Sequence, residues 1–471
     1  MARQLAQWIQ PADPSTGGAV ARAEFVVVQA AVFFAPFLVL RPPGILLTLS
    51  DGLFIVSLFL RVAAGTVPLR PFGSASPVWI AGVVMLTSGL LIGSCFKGDA
   101  LRGLVIVAQY DFAWFVLPLA VMCRPIEQTD RLIRCGIYSM VVICWIGLLF
   151  YWTDFDFGVV GTKADFDPVT GNGRLSSLLN DANTLAGLIG LAIPLLAYTF
   201  SKKGFRIVTA AICFVTYLVT VVLTSSNGGM LLFAGVMGIL FIGRVSLRNV
   251  IIVGVVGLVG AVVLTQWGQE LLPEVFMKRV GGALDNGDLT QAGTFNFRLN
   301  LMREAWGMAD QYLLVGAGAD QFRILSAYGA PVHNLYLLLL DEGSLVSLLG
   351  IFLIIATPFV TALTQPEDRQ SGLHMLTALA ATFAMAFFAM TIPHMYARFF
   401  TLPLILACSP MTASIGQGVL QLGRMKAKFG GTPFPLAPAP VPTMGLRLKE
   451  LRPQFKGLRR PGRGHSISPN K

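Results

Sequence analysis

Apolar runs of close to 20 residues recur along most of the chain, from about residue 25 to residue 410. A helix of that length crosses the ~30 Å hydrocarbon layer of a bilayer. Only 13% of the residues are charged, against roughly a quarter in a soluble protein. The mean hydropathy is +0.70. The sequence therefore predicts an all-α, polytopic integral membrane protein.

The apolar runs predict about twelve transmembrane helices within a transmembrane domain at residues 25–410. Their predicted bounds are about 25–40, 44–60, 77–95, 103–122, 134–152, 182–200, 206–224, 229–243, 249–267, 333–362, 372–391 and 396–410. Cytoplasmic connections carry an excess of Lys and Arg. The most basic short connections all fall on one side: Arg124, Arg131 and Arg134; Lys202, Lys203 and Arg206; Arg244 and Arg248. This arrangement predicts that residues 1–24 and the C-terminal segment are both cytoplasmic.

The C-terminal segment, residues 411–471, is basic and rich in Pro and Gly. It holds eleven Lys or Arg against one acid, Glu450, so most of the net charge of +11 lies there. This composition predicts a disordered tail. Basic residues beside an anionic leaflet bind lipid headgroups. Membrane lipid is the predicted partner of the tail, and nucleic acid is not, because no nucleic-acid-binding motif accompanies it.

Two loops on the opposite side of the predicted membrane are long, at about residues 153–181 and 268–332. Long loops in compact proteins are usually functional or disordered. In the second loop, apolar residues recur at helical spacing from Leu299 to Leu313. This pattern predicts a short amphipathic helix at the membrane surface, with Asn296 as its N-cap.

His333 is the candidate general base. It lies at the outer end of the tenth predicted helix, beside Asn334. An imidazole with a pKa near 6.5 takes up a proton at neutral pH. The alternative is an interfacial histidine that is satisfied by backbone groups. Asp341 and Glu342 follow in the same helix, where acids normally face the bundle interior or a wet cavity.

Several arginines outside the predicted helices are candidates for binding an anionic substrate. Arg298 lies in the first turn of the predicted surface helix, where free N–H groups and a guanidinium converge on an anion. Arg303 follows it, and the earlier loop carries Arg174 and Asn183. A solvated surface residue is the alternative for each. Two arginines that clamp a pyrophosphate and a histidine that deprotonates a hydroxyl need neither a metal nor a cofactor, and the six cysteines show no metal-ligand spacing.

Over about residues 170–400 the chain resembles the O-antigen ligase and polymerase superfamily of bacterial envelope-glycan enzymes. Three sets of residues carry the resemblance: Phe297-Arg298 through Trp306 to Gly316-Ala317-Gly318; His333-Asn334-Leu335-Tyr336 with Glu342-Gly343; and Gly173-Arg174 with Asn183. One position departs from the pattern. Many members have Ser-Arg-Gly where this chain has Ser226-Asn227-Gly228, and Arg174 or Arg398 would have to supply the missing cation.

The resemblance implies a C-type glycosyltransferase-like fold in the bacterial inner membrane. It implies that a glycan moves from an undecaprenyl-pyrophosphate carrier to an acceptor hydroxyl on the periplasmic side, without a metal. His333 would be the base, Arg298 the pyrophosphate contact and Arg174 a second substrate contact. The donor oligosaccharide, its acceptor, a flippase and a chain-length regulator would be the partners.

Polymerisation of exopolysaccharide or O-antigen repeats is the first functional hypothesis, because the missing arginine departs from ligase-like members. An O-antigen ligase that transfers polymer to lipid A-core is the main alternative. A transporter or flippase is a further alternative, and so is a non-catalytic assembly protein whose basic tail recruits partners. Asp111, Asp341 and Glu342 are the chief ionisable candidates that a transporter would need within its helices.

Overall fold

The computed structural model consists almost entirely of helices. It describes residues 14–41, 47–153, 167–170, 172–202, 206–243, 274–277, 295–364 and 372–428. Extended pairing in these ranges is confined to one isolated bridge between Val169 and Leu175.

The helices are numbered α1 to α15 in chain order. They are α1 (Pro14–Phe34), α2 (Leu49–Ala63), α3 (Ser76–Phe96), α4 (Ala100–Asp111), α5 (Leu117–Val121), α6 (Ile126–Thr153), α7 (Ala182–Phe200), α8 (Ile207–Thr224), α9 (Asn227–Ile242), α10 (Glu274–Phe276), α11 (Phe295–Tyr312), α12 (Phe322–Leu325), α13 (Leu335–Thr364), α14 (Gly372–Ala389) and α15 (Arg398–Lys428). A π-helical turn at Phe112–Val116 joins α4 to α5, and 3-10 turns at Gly73–Ala75 and Ser177–Leu179 precede α3 and α7.

Seven helical segments are long and apolar enough to cross a bilayer, which supports a polytopic membrane protein. They are Gly73–Phe96, Ala100–Val121, Ile126–Thr153, Ala182–Phe200, Ile207–Thr224, Leu335–Thr364 and Gly372–Ala389. Asn227–Ile242 and Arg398–Ala413 are shorter apolar helices. The predicted number of about twelve is therefore not confirmed.

The predicted spans that fall short do so for different reasons. Those at 25–40 and 44–60 correspond to α1 and α2, which are not among the seven. The span predicted at 249–267 lies outside the described residues. At the other end of the chain, α15 continues to Lys428, well into the segment predicted as a tail from residue 411. Residues 429–471, with most of the basic charge, are also outside the described residues.

Among the described residues, the helices α3 and α13 pack so closely that their backbones are in contact. A Cβ added at Gly89 would lie 2.3 Å from the carbonyl oxygen of Gly343, so only glycine fits there. The hydroxyl of Ser347 donates a 2.8 Å hydrogen bond to the carbonyl of Leu86. Small residues let membrane helices approach to backbone contact, which replaces the hydrophobic driving force that lipid does not provide.

The helix α13 is broken at Ser344, whose φ of 65° and ψ of −178° are not helical. The segment 313–318 binds to the backbone on both sides of this break. Ala317 N–H donates to the Asp341 carbonyl (2.8 Å), Gly318 N–H to the Glu342 carbonyl (2.9 Å), and Leu345 N–H to the Leu313 carbonyl (3.0 Å). These bonds satisfy backbone groups that the break would leave unpaired, and they fix the loop to the membrane helix.

The predicted surface helix is present as α11, with a different buried face from the one expected. Leu301, Ala305 and Ala309 are buried, whereas Trp306 is 70% exposed. Asn296 lies inside the first turn of a helix that begins at Phe295, so its prediction as N-cap is wrong. The expected apolar stripe therefore lies partly on the outer surface of α11, and a second stripe attaches the helix to the protein.

The polar connections gather at two opposite ends of the bundle. At one end, Asp130 of α6 accepts a 2.7 Å hydrogen bond from Tyr198 of α7, and His374 of α14 packs on the Tyr198 ring at 5.7 Å. The start of α7 lies at the other end, where Asn183 accepts hydrogen bonds from Arg174 and from Ser226, the residue before α9, and Arg174 also binds the Thr224 carbonyl at the end of α8. Successive helices thus alternate in direction.

Gly316 is the residue at which a small change tests the loop–helix contact. A Cβ at this position would lie 2.1 Å from the Glu342 carbonyl oxygen. We expect Gly316→Ala to destabilise the protein by about 3 kcal/mol, because the clash is with backbone that cannot move aside. Gly307→Ala is the matched control, since no atom lies within 4 Å of its added Cβ. Thermal unfolding of the detergent-purified variants, followed by size-exclusion chromatography, measures both, and equal melting temperatures would contradict the packing.

Candidate functional site

His333 lies in the connection between α12 and α13 and is partly exposed. The next residue, Asn334, caps α13. Its side-chain oxygen accepts hydrogen bonds from the N–H groups of Tyr336 (3.0 Å) and Leu337 (3.2 Å). This satisfies orphan donors of the first turn. Asn334 thereby holds His333 at the mouth of a helix, which is the position that the sequence predicted.

The imidazole of His333 lies within electrostatic range of a cation and an anion from distant parts of the chain. Partial burial lowers its pKa, and the charge of Arg298 lowers it further, whereas Asp181 raises it. The net direction is downward, so the ring is neutral at neutral pH and keeps a nitrogen lone pair for accepting a proton. The structure thus brings the start of α11 and the start of α7 to His333.

The position of Arg298 depends on a small hydrophobic cluster. Leu301 and Ala305 of α11 pack on Val332 and Leu338, which flank His333 in sequence. This contact carries the first turn of α11, with Arg298, towards the imidazole. Arg303 is five residues further on, about 140° around the helix, and its side chain is exposed. The prediction that Arg303 binds substrate stays untested.

The second predicted motif forms a hydrogen-bonded junction. Arg174 Nη2 donates to the side-chain oxygen of Asn183 at 2.8 Å, and its Nε donates to the Thr224 carbonyl at 2.8 Å. Ser226 Oγ donates to the same Asn183 oxygen at 2.9 Å. Asp181, which acts on His333, caps α7 through the Asn183 N–H at 3.0 Å. Arg174 and Asn183 therefore lie next to the residue that links this junction to the imidazole.

The position that departs from the family pattern, Asn227, is the first residue of α9. Its side-chain oxygen is buried, and within the described part of the chain it has no hydrogen-bond partner. Arg174 lies close by, because it binds Thr224, three residues earlier.

Arg398 is engaged in a buried ion pair. Its Nε donates to a carboxylate oxygen of Asp51 at 2.7 Å, and its guanidinium lies 5.1 Å from the centre of the Phe112 ring. Asp51 is 1% exposed. An arginine held in this way joins α2 to α15. Its predicted contact with substrate is therefore not proposed.

The two acids predicted to support the site differ in what they contact. The buried carboxylate of Glu342 accepts a 3.1 Å hydrogen bond from Phe322 N–H and so fixes the start of α12. Both carboxylate oxygens of Asp341 are buried and have no hydrogen-bond partner among the residues that the structure describes. Both acids belong to the part of α13 that precedes the break.

The sequence did not indicate His394 or Asp320 as candidate site residues. His394, in the connection from α14 to α15, packs on Tyr396 at 5.1 Å. Burial lowers the pKa of His394 to about 4, with the charges of Asp320, Arg102, His333 and Arg323 also acting on it. The position of His394 just outside a predicted transmembrane helix could have indicated a site residue. Asp320 gave no such signal, because its partner Arg102 is 218 residues away in sequence.

Chemically, the site presents a neutral imidazole within electrostatic range of a guanidinium. The imidazole can accept a proton, and the guanidinium can hold an anion bidentately. Residues 212–343 match the model of a family described as O-antigen ligase. The matched region contains Arg298, His333 and Glu342-Gly343, and it confirms the resemblance to the O-antigen ligase and polymerase superfamily. No curated protein matches the chain.

The family of the matched region is one of glycan-transferring membrane enzymes, and this implies a glycosyltransferase-like enzyme that uses lipid-linked glycan and acceptor substrates. Several apolar helices fit a multi-pass protein of a bacterial membrane. The Gly173-Arg174 and Asn183 motif lies outside the matched residues, so its correspondence to the family stays a prediction.

The charge arrangement around His333 predicts opposite titration shifts in two variants. Arg298→Gln should raise the pKa of His333, because a nearby cation disfavours the imidazolium form. Asp181→Asn should lower that pKa, because the carboxylate favours the imidazolium, while the asparagine still caps α7.

NMR titration of carbon-13-labelled histidines in the full-length protein measures both shifts. The chain has four histidines, and His333→Gln assigns the relevant signal by its disappearance. A His333 pKa that is unchanged in Arg298→Gln would show that the guanidinium does not face the imidazole.

Proposed function

We propose that this protein is an inner-membrane glycosyltransferase that moves a glycan from an undecaprenyl-pyrophosphate-linked donor to a sugar hydroxyl on the periplasmic side. The packing of α11 on the residues around His333, which brings the charge of Arg298 within range of the imidazole, carries this proposal. The family match over residues 212–343 supports the reaction class.

In the proposed reaction, His333 takes the proton of the acceptor hydroxyl as the oxygen forms a bond to the anomeric carbon of the donor sugar. The bond between that carbon and the pyrophosphate breaks on the opposite face, and the electron pair leaves with the phosphate oxygen. Arg298 stabilises the charge that develops on the leaving group, since a guanidinium binds phosphate oxygens bidentately. One displacement inverts the configuration at the anomeric carbon.

The remaining predicted residues would hold His333 and its neighbours in position. Arg174 and Asn183 hold the start of α7, and with it Asp181, against His333. Asn334 fixes the imidazole at the helix mouth, and Glu342 fixes α12. A substrate contact of Arg174 or Arg303 would add to that of Arg298.

The proposed orientation follows from the charges at the two ends of the bundle. The end that carries Arg124, Asp130 and Lys202 is taken as cytoplasmic, with both termini on that side. Since α7 begins in the site and ends at Phe200, next to Lys202, the site would open to the periplasm. The C-terminal basic residues would then lie beside the anionic lipid of the inner leaflet.

We favour polymerisation of exopolysaccharide or O-antigen repeats, because Asn227 replaces the arginine of ligase-like members. A ligase that transfers polymer to lipid A-core is the second candidate, and the description of the matched family favours it. A flippase and a chain-length regulator would act before and beside either enzyme.

Replacing the proposed base tests the reaction. His333→Gln should lower glycan transfer by about 10²- to 10⁴-fold, because a neutral amide cannot take up the proton. His374→Gln is the matched control, since His374 packs on Tyr198 at the opposite end of the bundle. Glycan formed in cells that express each variant at equal membrane levels is the measurement. Transfer close to the wild-type amount in His333→Gln would remove the base from the mechanism.

A deletion strain distinguishes the two candidate reactions. Loss of a polymerase should leave single repeats on lipid A-core, or no high-molecular-weight exopolysaccharide. Loss of a ligase should leave full-length polymer on the lipid carrier. Gel profiles of lipopolysaccharide and of the lipid-linked fraction separate these results, and we expect the first. Profiles identical to those of the parent strain would contradict both assignments.

A further inference from the structure

Two arginines outside the predicted motifs share one carboxylate in the connection between α11 and α12. Arg323 Nε donates to one oxygen of Asp320 at 2.7 Å, and its Nη2 donates to the other at 3.0 Å. Arg102, at the start of α4, binds that second oxygen through Nε and Nη2, both at 2.8 Å. The two guanidinium groups are therefore held side by side by a single acid.

The backbone around Asp320 is fixed from two sides. Ala319 N–H donates a 2.9 Å hydrogen bond to Ser94 Oγ of α3, and Phe322 N–H donates to the buried carboxylate of Glu342. Asp320 itself has a φ of 63°, in the left-handed region. A non-glycine residue in this conformation is maintained only when its surroundings demand it. The carboxylate that carries the arginines is thus a rigid support.

The arginines keep donors for a further ligand. A carboxylate has about four acceptor positions and a guanidinium five N–H donors. The four contacts to Asp320 use two donors of each arginine and leave about three on each. The side chains of Arg102 and Arg323 are 42% and 49% exposed. With one carboxylate between two cations, the cluster has a net charge of +1. Its exposed guanidinium N–H donors can bind an oxyanion bidentately.

Stability alone does not account for this arrangement. Ion pairs of half-exposed side chains contribute only about 0–1 kcal/mol. Asp320, by contrast, is 6% exposed and the glutamate behind it 3%. The buried part of the cluster holds the exposed part in place, and binding sites are typically built in this way, with buried residues that fix the residues in contact with the ligand.

The cluster is electrostatically linked to the proposed catalytic base. The charges of Arg102, Asp320 and Arg323 act on His394, and so does the charge of His333 when its imidazole is protonated. His394 is therefore the residue that the two groups share. Its imidazole is neutral at neutral pH, so it adds no charge between them.

We propose that Arg102 and Arg323 form a second oxyanion-binding site, which holds an anionic group of the acceptor while the donor diphosphate binds at Arg298. This inference rests on the proposed function, since it assigns the second substrate of that reaction. The ligand is a phosphate or a carboxylate, from the lipid diphosphate of a carrier-linked acceptor or from an acidic sugar. A bidentate fork suits both groups.

Stoichiometric binding to the purified full-length protein in lipid nanodiscs tests this site. Inorganic pyrophosphate is titrated by calorimetry. Wild type should bind two equivalents. The double variant Arg102→Lys with Arg323→Lys keeps both positive charges but loses the bidentate guanidinium groups. One of the two equivalents of pyrophosphate should therefore bind at least tenfold more weakly. Arg298→Gln should remove the other equivalent, and Arg131→Gln, at the opposite end of the bundle, should keep both.

The pattern of losses separates the two proposals. One or no equivalent in wild type, or two unchanged equivalents in the double lysine variant, would overturn the second site. Two unchanged equivalents in Arg298→Gln, with one lost in the double variant, would leave the second site standing and reject the donor site. Competition with glucuronate identifies the source of the anionic group. An acidic sugar is indicated if glucuronate displaces the pyrophosphate at Arg102 and Arg323 at a lower glucuronate concentration than the pyrophosphate at Arg298. A lipid diphosphate is indicated if glucuronate displaces neither.

Discussion

The backbone pairing between the break in α13 and the segment 313–318 determines the geometry of the site. A helix interrupted within a membrane protein must find new partners for its amides and carbonyls, because lipid supplies none. Here the Asp341 and Glu342 carbonyls accept from Ala317 and Gly318. The connection after α11 is therefore part of the bundle, and the residues that follow it, up to His333, inherit a fixed position.

That fixed connection makes the electrostatics of the site specific. The charge of a cation on α11 and that of the aspartate that caps α7 both act on His333, in opposite directions. A cation alone would keep the imidazole deprotonated but leave the resulting imidazolium unsupported after proton uptake. Asp181 offers that support, because a carboxylate favours the charged form. The two opposing charges would keep the proposed base neutral at rest and stabilise it once it is protonated.

Much of this arrangement could be predicted from local patterns. Helical spacing indicated α11, the apolar runs indicated the long helices, and the position of His333 and Asn334 before an apolar run indicated a helix mouth. Contacts between distant residues gave no such signal. Asp51 and Arg398 are 347 residues apart, and Arg102 and Asp320 are 218 apart. Sequence spacing predicts a contact only where the two partners share one helix or loop. The sequence therefore gave no sign that Arg398 pairs with Asp51, and Arg398 was a candidate for binding substrate.

Asn227 is the position at which the sequence predicts a departure from the family pattern. The candidate replacements for the missing cation were Arg174 and Arg398. Arg398 is committed to Asp51. Arg174 binds the Thr224 carbonyl and, through Asn183, the hydroxyl of Ser226, so its guanidinium lies against the same turn between α8 and α9. A positive charge therefore lies at that turn, and of the two candidates Arg174 is the one that the geometry favours.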